Sequence, residues 1–338
     1  MGKDNISEQE AALYDRQIRL WGLDAQKRLR AASVLLYGIG GLGAEVAKNI
    51  VLSGIKAITV MDAAVVTEAD LCSQFLIRKS DIGKSRAERS VPELQLLNPM
   101  VEVTSSMSSI SSQDDAYFAG FDVVCLTNCS ADEVIRVDKI CRSKNIMFFS
   151  GVGAGFFACM FADLNEHECA EEVRKDIHEQ QMQQASGEPA VKKAKTHSEM
   201  ITVKHSVAFG SFADSVLPSI KWQHGLTKTT PSTYYVMRVL LKFCERHGRF
   251  PSCKSLDSDC AALRELRGDV LRALEAPNHL IPEDFAEHCF GEISPVSAIV
   301  GGILGQEIIK AVSRKNRPHN NYFFYNGLNG EGKVDRIG

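Results

Sequence analysis

The sequence predicts an α/β fold, in which a doubly wound, Rossmann-like sheet of parallel strands carries helices on its faces. Apolar runs with strand character alternate with helix-like segments through the first half of the 338 residues. The stretch "GIGGLG", residues 38–43, follows one such run and leads into a helix-like segment. Asp62 ends the next apolar run, about twenty residues on, where a Rossmann fold carries the acid that binds a ribose. Strand, glycine loop, helix, strand and acid therefore occur in the order that a nucleotide-binding fold requires.

Each element of this fold has its own signal. Short apolar runs predict buried strands at 33–38, 57–62, 101–106, 121–127 and 145–150. Apolar residues at helical spacing predict helices between these strands, at 43–53, 85–97 and 130–144. The same spacing predicts later helices at 232–248, 260–274 and 294–313, followed by a strand at 322–327.

Composition divides the chain into three parts. Residues 1–160 contain an N-terminal helix and the first part of the sheet domain, and residues 291–338 return to that domain. Between them, residues 161–290 are an insert that is polar at first and helical from about residue 230. Its segment 180–199 has the polar composition of an exposed, flexible loop. The lysines of "VKKAK", 191–195, are either a nuclear-import signal or ordinary solvated charge.

Charge and cysteine content exclude several classes of function. A net charge of -3 gives no overall electrostatic attraction to nucleic acid or to an anionic membrane. The N-terminus lacks the apolar segment of a secretory signal, and we expect an intracellular protein. The ten cysteines include no Cys-x-x-Cys pair. We therefore expect reduced, mostly buried thiols and no metal site.

The glycine loop by itself leaves two interpretations open. Gly38, Gly40 and Gly43 allow a tight turn and bring backbone amides and a helix N-terminus to a phosphate. The same glycines can also serve only to pack the helix against the sheet. An NAD-dependent oxidoreductase is one hypothesis, with Asp62 on the ribose, but no catalytic acid or base stands out at the ends of the later strands.

Longer motifs at both ends of the chain narrow the choice. The opening "YDRQIRLWGLDAQKRLRAASVLLYGIGGLGAEVAKNIVLSGI", the stretch "QFLIRKSDIGKSRAE" and the terminal "GGILGQEIIKAV" with "PHNNYFFYNG" resemble the enzymes that activate ubiquitin and ubiquitin-like proteins. Within that family, related to the bacterial ThiF and MoeB adenylating enzymes, the chain is most similar to the smaller, regulatory subunits of SUMO-activating enzymes. The resemblance implies an adenylation-type domain and two partners, the larger catalytic subunit and SUMO. It also implies a location in the nucleus and cytoplasm.

Working members of this family join a modifier's C-terminal carboxylate to the α-phosphate of ATP, which requires cations and a magnesium-binding carboxylate. Compared with the family's motifs, this chain has Asp70 for an asparagine and Ser73 for a phosphate-facing arginine. Thr127 replaces the magnesium-binding aspartate, and Asp132 replaces a further arginine. Arg86 replaces a lysine and keeps the charge. We therefore predict a vestigial loop at Gly38, Gly40, Gly43 and Asp62, with no cofactor bound by this chain and with ATP and Mg²⁺ in the partner subunit.

The family also uses a catalytic cysteine, in a Pro-x-Cys-Thr context. "FPSCKS" contains the nearest match, Cys253, and Lys254 could lower the pKa of its thiol. This motif lies well beyond the family's position and has lysine where the family has threonine. We predict an incidental, exposed thiol.

In the same family, the N-terminal helix of one half reaches into the other half's ATP site and places an arginine on the phosphates. The intact "YDRQIRLWG" assigns that role to Arg16, with Arg19 a less favoured candidate, and predicts that Leu20 and Trp21 pack the helix down. Without the resemblance, these arginines would be the charged face of a helix. The prediction is a subunit that is active only in a heterodimer. The alternatives are a self-sufficient adenylating enzyme, an NAD-dependent oxidoreductase, or the equivalent subunit for another modifier.

Overall fold

A single eight-stranded sheet organises the chain. The computed structural model describes residues 7–179, 195–216, 221–222, 225–226 and 229–338. Its strands are β1 (Ser33–Tyr37), β2 (Ala57–Met61), β3 (Glu102–Ser106), β4 (Val123–Thr127), β5 (Met147–Ala154), β6 (Phe157–Asp163), β7 (Glu166–Glu179), β8 (Lys195–Ala208), β9 (Lys221–Trp222), β10 (Gly225–Leu226), β11 (Tyr322–Asn326) and β12 (Glu331–Asp335). The large sheet has the order β12-β11-β6-β5-β4-β1-β2-β3, and β7 pairs with β8 in a separate hairpin.

The parallel half of the sheet creates the position of the site. Strands β5, β4, β1, β2 and β3 run parallel, and every residue of β4 is buried, as expected for a strand covered on both faces. Strand β1 lies between β2, which follows it in the chain, and β4, which pairs with its other edge. The connections after β1 therefore lead to opposite sides of the sheet. A crevice forms beyond the carboxyl ends of the strands at this switch in direction, where doubly wound folds bind their ligands.

Ten α-helices lie within the described part of the chain. They are α1 (Glu8–Leu13), α2 (Asp15–Trp21), α3 (Leu23–Ala31), α4 (Gly41–Leu52), α5 (Arg86–Leu97), α6 (Ala131–Lys144), α7 (Phe212–Val216), α8 (Ser232–His247), α9 (Leu256–Ala273) and α10 (Ser294–Ser313). Helix α10 is long and apolar enough to span a membrane, but two thirds of its most apolar window is buried inside the protein. It packs on α4 at Gly301, where a Cβ would lie 2.6 Å from the Cβ of Glu45.

The structure confirms the predicted α/β class and adds elements that the sequence analysis missed. The first helix after the glycine loop begins at Gly41, two residues earlier than predicted. Strands β6, β11 and β12 are antiparallel, so the sheet is mixed. The insert contains the long β7–β8 hairpin in addition to α8 and α9. The hairpin was not predicted because the polar composition of this segment does not show the apolar pattern of a strand. Most of the predicted loop, residues 180–194, lies outside the described residues.

All ten cysteines are free thiols, and eight of them are buried, as predicted. Cys72 and Cys253 are exposed.

Candidate functional site

The predicted nucleotide site is a cavity of about 590 Å³ at the carboxyl ends of β1 and β4. The glycine loop, the end of β4, the start of α5 and the residues just before α10 surround it. The residues that line it include Gly38, Gly40, Asp62, Asp70, Ser73, Arg86, Thr127, Asn128, Phe250, Pro251, Cys289 and Glu292. The structure therefore brings most of the predicted site residues together.

The glycines of the loop have clear packing roles. Gly38 has φ +87°, a left-handed conformation that favours glycine. Gly43, on the first turn of α4, lies so close to Gly38 that a Cβ would overlap the Gly38 carbonyl oxygen. These two positions need glycine for the strand to turn into the helix, whether or not a phosphate binds.

A carboxylate lies at the N-terminus of α4, the place where a phosphate would bind. The Gly41 amide donates to Glu292 Oε2 at 2.5 Å, and the Ser73 hydroxyl lies 3.4 Å from the same oxygen. Asn128 Nδ2 donates to Glu292 Oε1 at 2.8 Å. A Cβ on Gly40 would lie 2.8 Å from Oε2, so the acid is in contact with the loop backbone. Glu292 is thus bonded to the first amide of the helix and to the strand end beside it.

The cation that survives in this chain is neutralised by two carboxylates. Arg86 Nε donates to Asp62 Oδ2 at 2.8 Å, and its Nη1 donates to Asp70 Oδ1 at 2.7 Å. These two acids raise the pKa of Arg86 above its ordinary value, against the opposing effect of burial. Asp62 also accepts the Ile39 amide at 2.8 Å. Both Arg86 and Asp62, the acid predicted for a ribose, are therefore occupied by contacts within the chain.

The residue at the magnesium ligand's position has a structural role. The Thr127 hydroxyl donates to the carbonyl oxygen of Gly38 at 2.7 Å and lies 3.2 Å from that of Tyr37. It fastens β4 to the glycine loop and offers no carboxylate. No group of three His, Cys, Asp or Glu side chains is placed to hold a metal ion anywhere in the described ranges.

The charges that line the cavity are mostly negative. Asp62, Asp70 and Glu292 are three carboxylates, and Arg86 is the one basic side chain among the lining residues. A triphosphate brought here would meet net negative charge, which disfavours it at contact distances even at the effective dielectric of a protein surface. The cavity is large enough for a small molecule, and its charged lining residues are three acids and one arginine.

Two residues singled out from the sequence lie elsewhere. Asp132 is exposed on the first turn of α6 and is absent from the cavity lining, so it does not contribute the charge we expected there. Cys253 is exposed, and its neighbours Phe250 and Pro251 line the cavity while its own thiol does not. The cysteine that does line the cavity, Cys289, is buried, and burial raises the pKa of its thiol well above the ordinary range.

Glu292 was not predicted from the sequence. It is 251 residues from the amide that it binds, and no local pattern distinguishes "GEIS" from any other helix start.

The N-terminal helices present Arg16 on the surface. Tyr14 is buried, and its hydroxyl accepts a hydrogen bond from Asn98 at 2.9 Å. Gln17 donates to the last residue of α4, so α2 is held at both ends of its first turn. Arg16, between these anchors, is exposed, and no ion pair or hydrogen bond of its side chain is found within the described ranges. Arg19 differs, because it is paired with Asp15 at 3.0 Å.

The apolar residues of the same helix behave differently from each other. Trp21 is partly buried against the core, as predicted. Leu20 is 75% exposed, so the prediction that it packs the helix down is wrong. Helix α2 therefore displays an apolar side chain one turn beyond Arg16.

Comparisons with known proteins give consistent results. The model of the family described as ThiF matches residues 14–337. SUMO-activating enzyme subunit 1 of Xenopus laevis is 46% identical, with 98% of this chain and 97% of that protein aligned. The proteins of the same name from Bos taurus and Homo sapiens are 47% and 46% identical, with 98% of this chain and 96% of theirs aligned. A crystal structure of E. coli MccB with succinimide superposes with a TM-score of 0.56 at 14% identity, over all of this chain and 73% of that one. At that identity, the superposition supports the fold alone.

Proposed function

The chain belongs to the ThiF family, and from that membership we propose that it is the smaller, regulatory subunit of a heterodimeric SUMO-activating enzyme. Family membership confirms the fold that the resemblance implied. The near-complete alignment with proteins named SUMO-activating enzyme subunit 1 supports the assignment within the family. The word "subunit" in that name supports a second chain, which we propose to be the larger, catalytic partner.

The observation that carries this proposal is the charge of the cavity. With Glu292 on the loop amide and Arg86 held by Asp62 and Asp70, the site offers a triphosphate no free cation among its lining residues. We therefore propose that ATP and Mg²⁺ bind in the partner subunit, where the SUMO carboxylate is adenylated and passed to the partner's cysteine. Gly38, Gly40, Gly43 and Asp62 are vestigial in this proposal and keep only their packing and hydrogen-bonding roles.

Arg16 is the residue that we propose to act in trans, on the phosphates in the partner's ATP site. An exposed guanidinium on an anchored helix can enter a neighbouring subunit without first breaking an internal ion pair. The exposed Leu20 one turn away offers apolar surface for the contact that would position it. A guanidinium placed on transferring phosphates stabilises the charge that develops there.

Arg16→Ala and Arg19→Ala in the reconstituted heterodimer make a matched test, because both arginines lie on α2. We expect Arg16→Ala to leave subunit association intact and to lower ATP–pyrophosphate exchange at limiting ATP by about tenfold or more. Arg19→Ala should change the rate less than about twofold, since it removes a surface ion pair. Equal rates for wild type and Arg16→Ala would reject the role in trans.

The size of the cavity, about 590 Å³, keeps a second candidate open, namely nucleotide chemistry by this chain alone. ATP–pyrophosphate exchange by the isolated chain with SUMO added would support a self-sufficient adenylating enzyme. Saturable NAD binding would support an oxidoreductase. The proposal requires that both measurements give no signal above a protein-free blank.

We also propose a nuclear and cytoplasmic location. The lysines of "VKKAK" support it, although residues 191–194 lie outside the described part of the chain. Replacement of Lys192 and Lys193 by alanine should shift a fluorescent fusion toward the cytoplasm, and an unchanged distribution would contradict import through this segment.

A further inference from the structure

Glu292 joins three parts of the protein that are far apart in sequence. It lies two residues before α10, it accepts the Gly41 amide at the start of α4, and it accepts Asn128 just after β4. Asn128 itself has φ +51°, and its other side-chain atom, Oδ1, accepts the Gly153 amide of β5 at 2.8 Å. Four elements of the site therefore meet through one carboxylate and one amide side chain.

The contacts of this carboxylate are those that a bound phosphate would make. Helix N-termini bind anions because their first amides have no partner within the helix and carry partial positive charge. Here the Gly41 amide points to an oxygen of Glu292, and Ser73 and Asn128 supply further polar contacts. The close approach to the backbone of Gly40 leaves no room for a second anion at that point.

From these contacts we infer that Glu292 is a built-in ligand of the glycine loop, which takes the place of a nucleotide phosphate and excludes a free one. The carboxylate holds the loop and the starts of α4 and α10 together in the absence of any nucleotide. Because α4 and α10 pack directly on each other, their arrangement does not depend on ATP. The inference rests on the proposed function only in that this loop is not an ATP site of its own.

The inference predicts that a phosphate ion can replace the missing carboxylate. The test uses the full-length chain with Glu292→Ala, with the isosteric Glu292→Gln, and with Glu102→Gln as a control at an exposed carboxylate on β3. In phosphate-free buffer we expect Glu292→Ala to melt about 2 to 4 °C below wild type, from the loss of charge-assisted hydrogen bonds. Glu292→Gln should lose less, because the amide oxygen can still accept the Gly41 amide.

Addition of about 50 mM phosphate should raise the melting temperature of Glu292→Ala by about 1 to 2 °C and leave those of wild type and Glu102→Gln unchanged. Sodium chloride at equal ionic strength is the reference for each protein. If Glu292→Ala does not fold, hydrogen exchange at the Gly41 amide of Glu292→Gln replaces it, and we expect faster exchange than in wild type. The inference would be overturned if both Glu292 variants melted at the wild-type temperature, or if phosphate raised the melting temperature of all the proteins equally. None of these measurements uses the activating reaction, so a failure of the proposed function would leave them unchanged.

Discussion

A buried pair of acids away from the cavity gives a quantitative prediction about pH. Asp138 on α6 and Asp163 at the end of β6 are 1% and 2% exposed. Arg142 donates to Asp163 at 2.6 Å, and the Phe212 amide donates to Asp138 Oδ2 at 2.8 Å. Asp138 Oδ1 has no hydrogen-bond donor within the described ranges. Burial and the neighbouring Asp163 raise the pKa of Asp138 to about 8, so it carries a proton at neutral pH.

The sign of the effect follows from proton counting. In the unfolded chain Asp138 has its ordinary pKa of 3.8, so between that value and about 8 the folded state binds one more proton than the unfolded state. The free energy of unfolding therefore falls as pH rises through this window, by at most about 1.4 kcal/mol per pH unit. From pH 5 to pH 7 the contribution is about 1 to 3 kcal/mol, the lower figure allowing for relaxation around the charge.

Asp138→Asn removes this titration and keeps the shape. Like the protonated acid, the amide carries hydrogen that can be donated to the neighbouring Asp163, while its oxygen can still accept the Phe212 amide. We expect the free energy of unfolding of the variant, relative to wild type, to rise by about 1 to 3 kcal/mol between pH 5 and pH 7. Urea unfolding at pH 5, 6, 7 and 8 measures the difference, and Asp132→Asn on the exposed face of the same helix is the control. Parallel curves for Asp138→Asn and wild type would refute the reasoning.

Two further predictions concern the loop and its cation. Gly43→Ala should lower the free energy of unfolding by more than about 3 kcal/mol, because its Cβ would overlap a backbone oxygen, whereas Gly302→Ala, with nothing within 4 Å of its Cβ, should raise it by about 0.5 to 1 kcal/mol. Chemical denaturation compares the two, and a mild effect at Gly43 would contradict the packing argument. Arg86→Met should lower the free energy of unfolding by about 3 to 5 kcal/mol, because it leaves Asp62 and Asp70 buried without their cation. Arg86→Lys should lower it less, because it keeps the charge. A Met variant as stable as the Lys variant would show that these ion pairs contribute little.

The predictable part of the site was the part encoded in residue type at a motif position. Ser73, Thr127 and Asp70 were singled out because each change in chemistry can be read from one residue, and the structure places all three in the lining of the cavity. Asp132 was assigned to the site by the same reading, but its place on the exposed turn of α6 depends on how that helix is set against the sheet. Leu20 was likewise predicted from the motif to pack the helix down, and it is nevertheless exposed.

The sequence by itself determined the α/β class, the order of strands and helices in the parallel half, and the family, because these depend on local periodicity and contiguous motifs. Tertiary structure alone decided what occupies the glycine loop and what neutralises its cation. Glu292 and Gly41 are 251 residues apart, and Arg86 meets Asp62 and Asp70 across a turn and a strand end. These groups interact only because folding brings them within a few ångströms of each other. Their separation along the chain does not reveal that distance.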